Sequence, residues 1–152
     1  MPKKNRAPVD DPRAMAPLLS SLNLLPSILE NAPLGISVFC PIDGGADWRC
    51  VMANPAFPSF SALPAMGRTV RELFPAIAER AIAALEDVRR TGKPLIRHEV
   101  EARLEPGLQQ TWWNITGLPL YGGGGAGDGP AQAVFVLALE VTDRVLARRR
   151  AE

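Results

Sequence analysis

Few residues in this chain ionise, ligate or attack outside its charged surface. Its 152 residues include one histidine, His98, and two cysteines, Cys40 and Cys50. His98 lies in a stretch, 95–104, where Ile96, His98, Val100 and Ala102 share one face and Arg97, Glu99, Glu101 and Arg103 the other. That alternation predicts a half-buried antiparallel strand with the imidazole on the apolar side. A histidine there is more often bonded to a core neighbour than to a metal. Cys40 and Cys50 fall on the two arms of a predicted hairpin, 36–41 and 49–53. They are either small buried hydrophobes or a cross-strand pair open to oxidation. Two cysteines and one histidine do not close a zinc site, and their spacing follows no zinc pattern. The glycine run at 122–127 lies between two predicted strands and lacks the helix and lysine of a phosphate loop, so it reads as a hairpin connection. No serine or cysteine stands in an elbow beside a base, and the chain is not expected to be an enzyme.

Seventeen basic residues oppose sixteen acidic ones, for a net charge of +1. This is not a polyanion-binding balance, so nucleic acid is not an expected partner. The bases cluster at the ends, Lys3, Lys4 and Arg6, then Arg148, Arg149 and Arg150, as solvated tails do. No apolar run approaches the ~20 residues of a membrane span. The first residues lack the apolar core of a signal peptide. The expectation is a cytoplasmic protein with reduced thiols, forming one domain with flanking tails.

Residues 1–10 are Pro- and charge-rich, an expected disordered tail. A helical lead-in follows at 11–35. Asp11 and Pro12 open it, Met15, Leu18, Leu19 and Leu22 repeat at helical spacing around Pro17, and Leu24, Leu25, Ile28 and Leu29 form a second short helix. This amphipathic segment either packs on its own domain or meets a copy of itself. The hairpin comes next, then Asn54-Pro55 and an irregular stretch anchored by Phe57 and Phe60. Thr69 with Glu72 is a capping-box pattern. Ile77, Ala78, Ala81, Ile82, Leu85 and Val88 mark the longest helix, with Gly92 as its C-terminal cap. Strands at 95–104 and 110–121 follow, then the most apolar run, 131–143, whose two faces are both hydrophobic and which belongs mid-sheet. Thr142 is placed to cap a final helix. The order implies an α+β fold with an antiparallel sheet.

In this order the segments resemble the PAS family over about residues 24–146. The matching stretches are LPSILENAPLG at 25–35, VMANPAF at 51–57, GRTVRELFP at 67–75, TGKP at 91–94, the strand from Trp113 to Leu120 with its glycine loop, and EVTDR at 140–144, where Glu140 replaces the usual Asp. The resemblance implies a five-stranded antiparallel sheet at 36–143 with 131–143 central, helices on one face enclosing a small apolar cavity, and an outgoing helix from 144 to 152. Haem-binding relatives carry an axial ligand on the long helix; here that helix has no histidine, and Met52 and Met66 are poorly placed. Light-sensing flavin relatives carry a cysteine in the segment here occupied by residues 67–72, which has none. The cofactor therefore stays open.

The resemblance further implies a sensory or regulatory module of signal transduction. The expected cavity lining is Phe57, Val70, Leu73, Phe74, Ile82, Leu85, His98, Trp112, Asn114 and Phe135, and the expected relay is Glu140, Thr142, Asp143 and Arg144. Expected partners are a small-molecule ligand, an output kinase, as in two-component systems, or another effector, and a second copy joined through Met15, Leu18, Leu19, Leu22, Leu25 and Leu29. The alternative is a ligand-free dimerisation or scaffold module.

Overall fold

The computed structural model describes residues 24–58, 64–102, 110–122 and 129–152. The tail at 1–10, the helix from Asp11 to Leu22, Phe60, the turn at 105–107 and most of the glycine run lie outside them. The chain divides into two units, Met1–Ala32 and Pro33–Glu152. In the first, helix α1 (Leu24–Asn31) carries Asn31, whose side-chain amide donates to the Ser27 carbonyl at 2.8 Å.

The second unit runs β1 (Gly35–Ile42), β2 (Asp47–Ala53), α2 (Val70–Leu73), α3 (Ala78–Thr91), β3 (Leu95–Ala102), β4 (Thr111–Leu120), β5 (Ala133–Glu140) and α4 (Thr142–Ala151). The strands form one sheet in the order β2-β1-β5-β4-β3, with every pair antiparallel. The apolar run 131–143 is thus central, as its two hydrophobic faces require, but the strand is shorter than the run. The Ala131 amide is taken by the Arg89 carbonyl at the end of α3, and Val141 already has the backbone of a helix entry.

Register sets the faces. Gly35, Ser37 and Phe39 of β1 oppose Ala138, Val136 and Val134 of β5, and on its other side β5 sets Ala138 and Val136 against Ile115 and Gly117 of β4. This inner face packs under α2 and α3, joining Trp48, Cys50, Val70, Leu73, Ile82, Leu85 and Val88 in one core. Ser37 is fully buried there and its hydroxyl donates to the Val136 carbonyl at 3.2 Å. A smaller cluster of Trp112, Val141, Val145 and Leu146 joins the opposite face to α4.

Local chemistry explains the element ends. Thr69 caps α2 by accepting from the Glu72 amide at 3.3 Å. The segment before it is tied to β2, with Cys50 donating to the Arg68 carbonyl at 2.8 Å and Gly67 donating to that of Cys50 at 2.7 Å. Gly92 ends α3 at φ 69°, a left-handed conformation suited to glycine. Asn54 closes the first hairpin onto the chain entering it. Its side chain accepts from the Ile36 amide at 2.7 Å and donates to the Leu34 carbonyl at 2.8 Å, and its backbone carbonyl accepts from Phe57 at 3.1 Å. Gly35 sits in this joint. A Cβ there would lie 2.9 Å from the Phe57 Cα and 3.0 Å from the Ala138 oxygen, so backbone meets backbone from three segments.

Cys40 pairs with Arg49 and Cys50 with Phe39, so the thiols are not partners across the hairpin and their side chains alternate to opposite faces. Both are free. Cys50 is fully buried, its thiol donates to the Met52 carbonyl at 3.3 Å, and burial pushes its pKa up to about 11.

Asn54→Ala strips two part-buried backbone groups of their partners and is expected to cost about 1–3 kcal/mol in urea unfolding; a loss too small to measure would show the joint is held elsewhere. In folded protein at pH 8, iodoacetamide is expected to label Cys40 and spare Cys50 until denaturant is added. Equal labelling rates would contradict the buried, raised-pKa thiol.

Candidate functional site

Between the inner sheet face and the helices lies a cavity of about 430 Å³. Four groups of residues make its wall. Phe57 and Pro58 follow the Asn54 turn; Val70 and Phe74 come from α2 and its end; Pro75, Ala76 and Ile77 lead into Ala81, Ala84 and Leu85 of α3; and the sheet supplies Phe39, Leu95, Val100, Ala102, Trp113, Ile115, Gly117, Val136 and Ala138. Phe57 lies between two other rings, 5.8 Å from Phe39 in a tilted pair and 6.3 Å from Phe74 edge-on. The one indole nitrogen in the wall, Trp113 Nε1, already donates to the Thr111 hydroxyl at 2.9 Å. Glu101, opposite Trp112 in register, is the one ionisable residue along the described lining. Small residues make the room: Ala81 and Ala84 on α3 and Gly117 and Ala138 on the sheet are all in the wall.

Of the ten residues expected to line it, Phe57, Val70, Phe74 and Leu85 do. Leu73 and Ile82 are buried in the adjoining core, a helical step away from the wall. Trp112, Asn114 and Phe135 belong to the other sheet face, because their neighbours Trp113, Ile115, Val134 and Val136 hold the inner one. With both faces apolar, alternation finds such a strand without telling its two sides apart.

His98 is exposed and outside the wall for a different reason. The β3–β4 register jumps between Arg97 and Val100, so two residues of β3 stand against Asn114. In this bulge Glu99 takes φ 52°, and its amide donates to the Asn114 side chain at 2.9 Å. The extra residue flips the faces. Ile96 becomes 56% exposed, Leu95 turns to the cavity, and Val100 and Ala102 rejoin the inner side. Residue alternation carries no mark of this insertion. Trp113, Ile115 and Val136 were visible as apolar strand residues but sit on the unchosen parity, and Phe39 comes from a strand to which no lining residue was assigned.

Behind the cavity, α4 is fastened to the outer face of β4. Thr142 is buried, and its hydroxyl accepts from the Trp112 amide at 3.1 Å, while the Val141 amide donates to the Trp112 carbonyl at 2.8 Å. Thr142 was expected to cap the helix; Val141 occupies the cap position and the Thr142 hydroxyl serves β4 instead. Glu140, Asp143 and Arg144 are exposed. Two contacts farther along α4 had no sequence signal. Arg148 grips Glu99 of the bulge with two hydrogen bonds, 2.6 and 2.8 Å, and the Arg149 guanidinium lies 4.9 Å from the Trp112 ring centre. The Arg148 bond, with the nearby charges of Arg144 and Arg149, holds the Glu99 carboxyl below its ordinary pKa.

Among the described residues no three His, Cys, Asp or Glu side chains gather as a metal site, and no helix is long and apolar enough to cross a membrane. The family described as PAS fold matches residues 29–146. No curated protein matches the chain. The PAS domain of a Colwellia psychrerythraea protein is similar with a TM-score of 0.57 at 13% identity, over 82% of this chain and 99% of that one. A sensory box histidine kinase/response regulator from Burkholderia thailandensis E264 gives 0.52 at 16%, over 84% and 92%. An RNA-binding light-oxygen-voltage receptor gives 0.58 at 20%, over 99% of this chain but 40% of the receptor. With the family matching most of its length, and with the sheet order, the enclosing helices and the cavity beneath them in agreement, the chain belongs to the PAS family.

Proposed function

We propose that this PAS domain is a cytoplasmic sensory module that takes a small ligand into the cavity and passes its presence to the helix α4. The observation that carries the reading is the pair of adjacent residues on β4. Trp113 is part of the cavity wall, and Trp112, one residue away, holds the start of α4 through both backbone groups and faces Arg149. A ligand that shifts Trp113 moves the mounting of the helix with it. Two packings of α4, one held and one released, form the two-state element such a relay needs. Thr142 is the part of the expected 140–144 relay best placed to carry it, with Glu99 and Arg148 as a second hold.

An output kinase or other effector beyond α4 is the natural partner, in keeping with the histidine kinase named for the Burkholderia relative. The leucine-rich lead-in through Leu18 and Leu22 is proposed to pair with a second copy. The competing reading, a ligand-free scaffold, gains support from a native mass spectrum showing only a bare dimer that Leu18→Asp or Leu22→Asp separates.

Hydrogen exchange on ligand-bound and bare protein tests the relay. Amides of α4 are expected to change protection on binding, and Thr142→Val to abolish that difference while the β1 and β5 amides keep theirs; equal α4 exchange in both states would end the proposal. The Glu99–Arg148 hold has a pH signature. Because the folded-state pKa of Glu99 is lowered, its contribution is present above the unfolded glutamate value of about 4.3 and is lost as pH falls below that, through the folded value. Backbone chemical shifts of α4 are therefore expected to hold steady from pH 8 to 5 and move toward coil below pH 4, a step that Glu99→Gln removes. An unchanged step in that variant would assign it to another group.

A further inference from the structure

We infer that the cavity selects a neutral, planar aromatic guest of two to three rings and rejects anions. This deepens, and rests on, the reading of the cavity as a ligand site. Size comes first. A dry apolar cavity of about 150 Å³ takes benzene; this one, about 430 Å³, is nearly three times larger. Shape and surface come next. Phe57 meets Phe39 and Phe74 at tilted and edge-on angles, which leaves ring faces and edges along the wall, and Trp113 adds an indole from the sheet. Aromatic rings favour offset and edge-to-face partners, so a flat guest gains more from this wall than a chain does.

Charge decides the class. The described lining contains no Lys, Arg, His, Ser, Thr, Asn or Gln side chain. The one indole donor in the described wall is already bonded to Thr111, and Glu101, opposite Trp112 in register, shares that residue's outer face. A carboxylate or phosphate placed here would lose its water and find no cation among the described lining side chains, and burial of an unpaired charge is strongly unfavourable. Neutral guests escape that cost. The same wall disfavours any cofactor whose acidic groups must be buried with its rings.

A matched pair of fluorescent probes tests this on the 152-residue chain in a preparation whose native mass shows no bound molecule. N-phenyl-1-naphthylamine is neutral; 8-anilinonaphthalene-1-sulfonate has the same ring skeleton plus one sulfonate. The neutral probe is expected to bind one per chain and at least tenfold more tightly. Phenanthrene is expected to displace it and dodecan-1-ol to do so at least tenfold less well. Ala84→Phe, which fills the space from α3, is expected to weaken the neutral probe at least tenfold with an unchanged circular dichroism spectrum. Should that variant fail to fold, Val100→Lys on the half-buried strand β3 replaces it, and there the sulfonate is expected to gain on the neutral probe. Equal binding of the two probes by the native chain, or equal displacement by the alcohol, overturns the aromatic, neutral class while leaving a ligand site. Undiminished neutral binding in folded Ala84→Phe, or an unaltered probe ratio in Val100→Lys, places the probe elsewhere and overturns the inference. Binding of neither probe removes the ligand-site reading as well.

Discussion

The sheet is held together by eight residues. β1 and β4 pair only through β5, and β2 and β3 reach the sheet only through them. Without β5 the domain is two separate hairpins, and a lone hairpin is marginal in water. The strand arrives last in the chain, so both hairpins wait for a segment about a hundred residues after the first strand. Such long-range pairing is slow to form and cooperative once formed. The alternation of β5 then does double service. Val134, Val136 and Ala138 complete the core and cavity under the helices, and Phe135 and Leu137 face the other way. A single strand therefore fixes the position of the cavity floor and of the point from which α4 departs.

This explains what was legible from residue order. Element type and sequence followed from periodicity and end signals: the helical stripe through Ile82, Leu85 and Val88, Gly92 at its end, Thr69 at the start of α2, and the unbroken apolarity of β5. Strand centrality was legible because apolarity on both faces has one common cause. Face assignment was not. In β4 and β5 either parity offers credible core residues, and the choice between Trp112 and Trp113 is made by neighbours distant in the chain. Gly117 was the available clue, since a strand glycine often marks close approach, and here Leu95 and Val134 lie within 3.5 Å of where its Cβ would be.

The β3 bulge was hidden more thoroughly. Its cause is a contact between strands: the Asn114 amide receives the Glu99 N–H, and the Arg148 guanidinium, from a helix 49 residues away, takes the carboxylate. Neither partner is recognisable until the sheet and α4 are in place. The bulge moves the only histidine out to solvent and brings an acid under the terminal arginines. The Arg148 bond holds the Glu99 carboxyl below its ordinary pKa, so it stays ionised around neutrality and this joint between sheet and helix is insensitive to pH changes there.

The adjacency of Trp112 and Trp113 has an optical consequence. Two indoles one residue apart sit in separate compartments, one against the phenylalanine-lined cavity and the other under an arginine on the opposite face. The emission of the folded protein is a sum over both environments, with the wholly buried Trp48 as a third, nearly constant contribution. Replacing either member of the pair by phenylalanine leaves a chromophore that watches one side of the sheet alone. The domain therefore carries its own spectroscopic readout of both faces of the sheet, with no dye attached.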